Sequence, residues 1–284
     1  MNSRTAIKIR EYGRSGGRFT ALSVFLLVAL FPLYWVVATS LKDPRQIYTF
    51  PLIYWPKVVS FAGYRKLFGF ANFWNYFRNS LTVALAASVG ALIICVLSGF
   101  ALSRIHSRTK RQGLLLVLYF TQVIPGFLLM TPLFLMLSTL GATDNLGSLA
   151  VVYMASMVAF GTIMSKSFFD RIPQSIEEAA MIDGCGPLNA LFRVILPISL
   201  PGLFAIFSFT FVNIWNELFL AVILLSSEGK MTVPVALNSF ISKAGVSWDV
   251  MSSGIVMALL PTIIVFGIGQ KYIVAGLTEG GVKG

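Results

Sequence analysis

Residues 79–103 read NSLTVALAASVGALIICVLSGFALS and contain no aspartate, glutamate, lysine or arginine. A helix needs about 20 apolar residues to cross the roughly 30 Å hydrocarbon core of a bilayer, and this stretch is long enough. Small residues recur four positions apart in it, as in Ala84 and Ser88 or Ala86 and Gly90, which lets another helix approach closely. The stretch predicts a membrane helix that packs against a second helix.

Similar stretches recur along the chain, and the overall composition agrees with them. Only 12% of the 284 residues are charged and 56% are hydrophobic, with a mean hydropathy of +0.80. A soluble domain carries about 25% charged residues, so this composition excludes that class. We predict an all-α membrane protein in which one transmembrane domain, 1–284, contains six helices. They are expected at about 19–41, 80–102, 113–140, 147–165, 200–226 and 250–270.

Lysine and arginine are concentrated on one predicted side of the membrane. Arg104, Arg108, Lys110 and Arg111 share one short loop, whereas the next loop, 144–146, has none. This bias is typical of cytoplasmic loops, so both termini are expected in the cytoplasm. It also accounts for the net charge of +11 without a nucleic-acid partner.

The third predicted span is interrupted at Pro125-Gly126. Proline lacks a backbone donor and breaks or kinks a helix. Inside a bilayer such a break must be buried in protein or face a water-filled path. We therefore interpret Pro125 and Gly126 as a gating kink.

The inner loop 171–197 predicts a short helix with defined ends. Ser175 and Glu178 fit a capping box that starts the helix, with Ser175 at the N-cap. Gly184 is placed to end it in the left-handed conformation that glycine favours.

A second short helix is expected to follow in the same loop. It would begin at Pro187, since proline is favoured at the first helical position. Pro197 and Pro201 are expected to end it before the fifth span. Its predicted apolar stripe consists of Leu188, Leu191, Phe192 and Ile195.

Polar residues of the fifth span form one candidate site. Thr210, Asn213, Asn216 and Glu217 are spaced to share a helical face, and a carboxylate within a bilayer is costly unless it is solvated or paired. The interpretations that stay open are a hydrophilic face that lines a solute path and, against it, either a structural hydrogen-bonding face against a neighbouring helix or an interfacial carboxylate near the outer head groups.

Catalytic and metal-binding patterns are nearly absent. His106 is the one histidine, and the two cysteines, Cys95 and Cys185, are not spaced for zinc. The glycine-rich tail lacks the lysine and the serine or threonine of a phosphate-binding loop. We expect no catalytic, cofactor or metal site in this chain.

Residues 178–202 read EAAMIDGCGPLNALFRVILPISLPG and resemble the EAA loop of bacterial ABC importer permeases. That pattern is Glu-Ala-Ala, three residues, glycine, nine residues, then Ile-x-Leu-Pro. Val194 stands where isoleucine is usual, and Asp183 also fits. Further resemblance to the maltose-type, MalG-like branch lies in 76–80, 215–217 and 274–284. The matching positions of the loop are Glu178, Ala179, Ala180, Gly184, Leu196 and Pro197.

The resemblance implies a type I ABC importer permease for a sugar, oligosaccharide or polyol in the bacterial inner membrane. It implies a second MalF-like permease, two MalK-like ATPase subunits that bind ATP and Mg²⁺, and an extracytoplasmic solute-binding protein. The loop residues, with Asp183, would form the coupling helix that contacts the ATPase. The tail residues expected to reach it are Gly276, Gly280, Gly281 and Lys283.

One alternative of another class stays open. Glu217 could serve as the ion site of a secondary carrier or channel, with Pro125-Gly126 as its broken helix.

Overall fold

The computed structural model describes Ser3–Phe70, Asn72–Ser242 and Gly245–Thr278. In these ranges the regular secondary structure is helical apart from one antiparallel strand pair, Ile241–Ser242 with Gly245–Val246. Two 3₁₀ turns, Gly126–Leu129 and Glu228–Lys230, and one π-helical segment, Leu191–Ile195, interrupt the α-helices. The helices are α1 (Ser3–Ser40), α2 (Pro44–Ile47), α3 (Ala62–Phe70), α4 (Phe73–Ser103), α5 (Arg108–Val123), α6 (Met130–Thr139), α7 (Leu146–Phe169), α8 (Gln174–Ile182), α9 (Pro187–Ala190), α10 (Leu196–Trp215), α11 (Phe219–Leu224), α12 (Val233–Ser239) and α13 (Trp248–Thr278).

Five helical segments within the described ranges are long and apolar enough to cross a membrane. The pair α5 and 126–139 would be a sixth span, broken by a bend of 84°. The break lies where Pro125-Gly126 predicts it, since α5 ends at Val123 and a 3₁₀ turn begins at Gly126. The five segments are Gly17–Ser40, Phe73–Ser103, Leu146–Phe169, Pro187–Trp215 and Trp248–Gln270.

The bounds of the fifth span differ most from the sequence prediction. Pro197 and Pro201 do not end the preceding helix, because the chain is helical without a break over Pro187–Trp215. A proline lacks an N–H and crowds the carbonyl four residues earlier. The π segment Leu191–Ile195 lies just before Pro197 and lengthens the hydrogen-bonding spacing there, which accommodates the ring.

The residues form two compact units, one within Met1–Asn72 and Phe240–Met257 and the other within Phe73–Ser239 and Ala258–Gly284. In the first unit, Lys66 Nζ pairs with the buried Asp249 Oδ2 at 2.8 Å. Tyr64 donates to Ser40 Oγ at 3.0 Å, so α3 is fixed to the end of α1 as well as to the start of α13.

The second unit is built on the contact between α4 and α7. A Cβ added at Gly161 of α7 would lie 2.4 Å from Cys95 Sγ of α4, so only glycine allows this approach. Ala84 and Ser88 are buried in α4, as the spacing of small residues predicts.

One end of this unit is fixed by polar contacts to the segment 228–233. Asn79 donates its amide to Gly229 O at 3.0 Å and to Met231 O at 3.1 Å. Ser80 Oγ accepts from the Val233 N–H at 2.7 Å. The segment 76–80 therefore ties the start of α4 to a loop about 150 residues further along the chain.

At the same end, Asp144 joins the loop before α7 to the loop after α11. Its carboxylate accepts from the backbone N–H groups of Ser226 and Ser227, each at 3.0 Å, and pairs with Lys230 Nζ at 3.0 Å. These donors hold the pKa of the Asp144 carboxyl well below its usual range, the Ser227 hydroxyl most strongly.

Asp144→Asn tests this joint through its pH dependence. Because the pKa of Asp144 is lower in the folded than in the unfolded chain, its stabilisation is fully present at neutral pH, starts to decline as the pH falls below about 4, and disappears only below the lowered pKa of the folded chain. The gap in melting temperature between the wild type and the variant should therefore be smaller at pH 3 than at pH 7, as measured by thermal unfolding in detergent. An equal gap at both pH values would contradict this assignment.

Asp170→Asn is the matched control. It removes a carboxylate from a partly exposed pair with Lys166, one helical turn away on the same helix. Such pairs contribute little, so its melting temperature at pH 7 should stay close to that of the wild type.

Candidate functional site

The helix α8 ends in the glycine cap that the sequence predicts. Gly184 has a φ of +89°, which L side chains rarely adopt. The Gly184 N–H donates to Met181 O at 3.0 Å and the Cys185 N–H donates to Ala180 O at 3.0 Å. These two bonds form a Schellman motif, which satisfies the last carbonyls of the helix and fixes the turn into α9.

The predicted capping box at the start of α8 is wrong. The helix begins at Gln174 with Pro173 in the N-cap position, and no side chain caps it. Ser175 is consequently inside the first turn, where its helical backbone cannot take the N-cap geometry. Glu178 does not take part in a cap, and its side chain is exposed.

The loop presents an exposed face of mixed acidic and apolar character. Glu178, Ala179, Asp183 and Gly184 are exposed, whereas Ala180 is buried. Exposed apolar side chains continue this face. They are Ile182 (86% exposed), Leu188 (66%) and Phe192 (56%).

The predicted apolar stripe of the second loop helix is divided between two environments. Leu191 and Ile195 are buried with Val96 of α4, Phe169 of α7 and Leu203 of α10. Leu188 and Phe192 point outward instead. Among the predicted coupling positions, Leu196 is half-buried and Pro197 is exposed.

A buried ion pair, which sequence reasoning missed, anchors the loop to the end of α4. Arg104 Nε donates to Glu177 Oε2 at 2.7 Å, and their side chains are 16% and 10% exposed. Arg104 Nη1 also donates to Phe169 O at 3.4 Å. The available signal was the pair of adjacent glutamates, of which the structure buries Glu177 and exposes Glu178.

The four polar residues of the fifth span do not share one helical face. The helix α10 ends at Trp215, so Asn216 is its C-cap and Glu217 lies beyond it. Thr210 is buried, while Asn213 and Asn216 are exposed. Each of these two amides donates to a carbonyl of its own helix four residues earlier, at 2.8 Å.

Glu217 is engaged by groups of its own unit. Tyr153 donates its hydroxyl to Glu217 Oε2 at 2.6 Å. The backbone N–H groups of Leu220 and Ala221 donate to the same carboxylate at 3.0–3.4 Å. Glu217 therefore caps the start of α11 and ties it to α7, which favours the structural interpretation of this residue.

The remaining predicted positions lie at the tail. Gly276 falls within α13, while Gly280, Gly281 and Lys283 lie outside the described residues. In the described ranges, no group of three or more histidine, cysteine, aspartate or glutamate side chains is arranged to hold a metal ion.

Known proteins match this chain along nearly its whole length. Residues 91–279 match the family described as binding-protein-dependent transport system inner membrane component. The chain is 34% identical to the inner membrane ABC transporter permease protein YcjP of Escherichia coli (strain K12), over 94% of this chain and 96% of that one. It is 33% identical to the sulfoquinovosyl glycerol transport system permease protein SmoH of Agrobacterium fabrum, over 94% and 93%.

A solved structure has the same fold. It is a crystal structure of a bacterial ABC transporter involved in the import of the acidic polysaccharide alginate, which superposes with a TM-score of 0.80 at 27% sequence identity. The match covers 96% of this chain and 99% of that one. With its five to six apolar helices, this is a multi-pass inner-membrane protein. The chain belongs to the family of binding-protein-dependent transport system inner membrane components, as a non-catalytic permease subunit of an ABC importer.

Proposed function

We propose that this permease carries a sugar, oligosaccharide or polyol and is driven through the loop 171–197. The observation that carries the proposal is the exposed face of α8, which is held by a glycine cap and is in register with the EAA pattern. Similarity to SmoH, named for sulfoquinovosyl glycerol, and to a permease of an alginate importer supports a polyhydroxylated solute.

The loop is proposed to dock on an ATPase subunit of the importer. Ile182, Leu188 and Phe192 would enter an apolar cleft, and Glu178 would face a basic side chain of the partner. The Arg104–Glu177 pair and the Schellman cap hold α8 in one orientation, so that a push on it is transmitted to the bundle. ATP and Mg²⁺ would be bound by the partner ATPases alone.

The loop is proposed to lie in the cytoplasm together with both termini. The contact between Arg104 and Glu177 brings the basic loop 104–111 to the same end of the unit as α8. Basic loops favour the cytoplasmic side, which supports this orientation.

The assembly is proposed to contain a second, MalF-like permease, two MalK-like ATPase subunits and an extracytoplasmic solute-binding protein. The full chain 1–284 would act as one transmembrane domain, and Gly276, Gly280, Gly281 and Lys283 would contact an ATPase. Apolar side chains of α5 that are 61–76% exposed support a surface covered by lipid or by the second permease. They are Leu116, Val117, Phe120 and Val123.

The solute path is proposed to include Asn213 and Asn216, near the end of α10. Both amides are exposed and can exchange their bond to their own helix for a bond to a sugar hydroxyl. Thr210 and Glu217 would shape this region from behind, because one is buried and the other is engaged by Tyr153. These bonds to Glu217 argue against its use as the ion site of a secondary carrier or channel.

Glu177→Gln tests the anchoring of the loop. Removing one partner of a buried ion pair leaves the other charge uncompensated, at a cost of roughly 3 kcal/mol. Hydrogen exchange across 174–190 should therefore become faster by about two orders of magnitude, provided the loop opens locally. The control is Glu178→Gln, which changes an exposed neighbour and should exchange like the wild type; equal exchange in all three proteins would refute the anchor.

Gly184→Leu tests coupling in the complete importer. The tagged chain is purified from its host with its partners, which are identified by mass spectrometry, and placed in proteoliposomes. We expect an assembled complex that has lost most ATP-driven uptake of a ¹⁴C-labelled sugar bound by the co-purifying binding protein, since leucine strains the left-handed position and enlarges the docking face. Recovery of the chain without an ATPase, or wild-type uptake in the variant, would overturn the proposal.

Two further variants separate backbone strain from general sensitivity of the loop. Asparagine tolerates the left-handed conformation, so Gly184→Asn should keep more uptake than Gly184→Leu. Gly186→Ala should behave like the wild type, because Gly186 has an ordinary φ of −69° and open space around it.

Asn213→Ala and Asn216→Ala test the solute path. Each should raise the KM for uptake of the same sugar about fivefold, the value of one hydrogen bond of about 1 kcal/mol, without loss of the complex. Ser167→Ala is the control, since Ser167 also bonds only its own helix four residues earlier, at the loop end of α7. Unchanged kinetics in both asparagine variants would remove these residues from the path.

A further inference from the structure

A cavity in the first unit lies immediately after the membrane span of α1. Its volume is about 260 Å³, and it is open at one side. The last turns of α1, the following segment 42–53 and the start of α13 surround it. The residues that bear on its chemistry are Trp35, Thr39, Lys42, Gln46, Tyr48 and Trp248.

Lys42 is a cation that is buried on the wall of this cavity. Only 2% of the residue is exposed, and its Nζ lies 4.3 Å from the centre of the Trp35 ring. No described residue supplies a carboxylate to it: Asp43, next in the chain, accepts instead from the Arg45 N–H at 2.9 Å. Burial lowers the pKa of the Lys42 ammonium, because the charged form loses solvation by water. An anion beside the ammonium would offset this loss of solvation.

Two polar atoms of the residues that line the cavity are buried without hydrogen-bond partners among the described residues. They are Thr39 Oγ1 and Gln46 Oε1. Thr39 is only 5% exposed. A buried polar group without a hydrogen bond is destabilising, and such groups are rare in folded proteins. The wall therefore offers a positive charge, a hydroxyl and an amide oxygen to one occupant, which must bring an anionic group and a hydrogen-bond donor.

The position of the cavity indicates where that occupant comes from. The span Gly17–Ser40 is exposed over most of its length and ends directly at the cavity. Tyr48 and Trp248 at the cavity are 65% and 49% exposed, and Trp55 further along the same segment is 56% exposed. Exposed tyrosine and tryptophan at the end of an apolar helix mark the head-group layer of a bilayer.

We propose that this cavity binds the head group of an anionic phospholipid of the phosphatidylglycerol type. The phosphate would accept from Lys42 Nζ and from the Thr39 hydroxyl. A glycerol hydroxyl would donate to Gln46 Oε1, and the aromatic side chains would cover the glycerol carbons. A zwitterionic choline head group carries no hydroxyl donor and adds a cation beside Lys42, so it fits less well.

The test uses the full chain in its native complex, purified by gentle extraction and placed in nanodiscs. Discs of phosphatidylcholine alone are compared with discs that contain 30% phosphatidylglycerol, and native mass spectrometry counts the lipids that stay bound to the chain. The wild type should retain phosphatidylglycerol and melt at a higher temperature in the mixed discs. In Lys42→Met, which removes the charge and keeps most of the length of the side chain, retention should fall at least tenfold and the difference in melting temperature should vanish.

Three further variants keep the result interpretable. Lys42→Arg preserves the charge and should retain the lipid. Lys57→Met removes an exposed lysine of the same segment outside the cavity and should behave like the wild type. Thr39→Val keeps the shape of the wall and should weaken retention several-fold, which tests the site even if Lys42→Met fails to assemble.

Two outcomes would overturn the proposal. Equal lipid retention in the wild type, Lys42→Met and Thr39→Val would show that the cavity is not the lipid site, as would a cross-link from the cavity to a carboxylate of a partner subunit. Stabilisation of the detergent-solubilised complex by soluble sn-glycerol 3-phosphate, with displacement of phosphatidylglycerol, would assign the site to a free phosphate ester instead.

Discussion

Inside a bilayer, every backbone N–H and C=O must find a partner within the protein, and this constraint applies wherever a candidate spanning segment departs from a regular α-helix. The chain departs from regular α-helix at Pro125, in the π segment before Pro197, and after Trp215. Each departure frees backbone groups that would be satisfied in a continuous helix. Around them the chain uses a 3₁₀ turn, a longer hydrogen-bonding spacing and a carboxylate cap, respectively.

Three carboxylates of the second unit connect segments that are distant in the sequence. Asp144 gathers backbone donors and Lys230 at one end, Glu217 caps α11 and receives the Tyr153 hydroxyl, and Glu177 holds Arg104 at the other end. Acidic residues are few in this chain, 11 in 284, so three of them in anchoring roles leave few for a solute path. This distribution agrees better with the proposed hydroxyl-bearing solute than with ion coupling through carboxylates.

Local signals in the sequence predicted much of the fold, and contacts distant in sequence account for the rest. Hydropathy located the apolar segments and Pro125-Gly126 located the break, because both depend on composition within one turn or one span. Gly184 was predictable because a left-handed cap strongly favours glycine. Ser175, in contrast, fitted a capping pattern that does not apply, because the helix starts two residues earlier, with Pro173 as its N-cap. The role of Glu217 depends on Tyr153, 64 residues away, and no local pattern reports such a partner.

The unbroken helix from Pro187 to Trp215 joins the second helix of the loop and the fifth span into one continuous element. Its 29 residues measure about 43 Å along the axis at 1.5 Å per residue. A tilt of about 5° around the loop end would move Trp215 sideways by about 4 Å. The π segment Leu191–Ile195 lies near the loop end of this helix, so the length of regular helix between it and Trp215 is preserved. Pro197 and Pro201 do not interrupt this helix, so in the proposed coupling a small tilt at the loop end would become a larger displacement at Trp215.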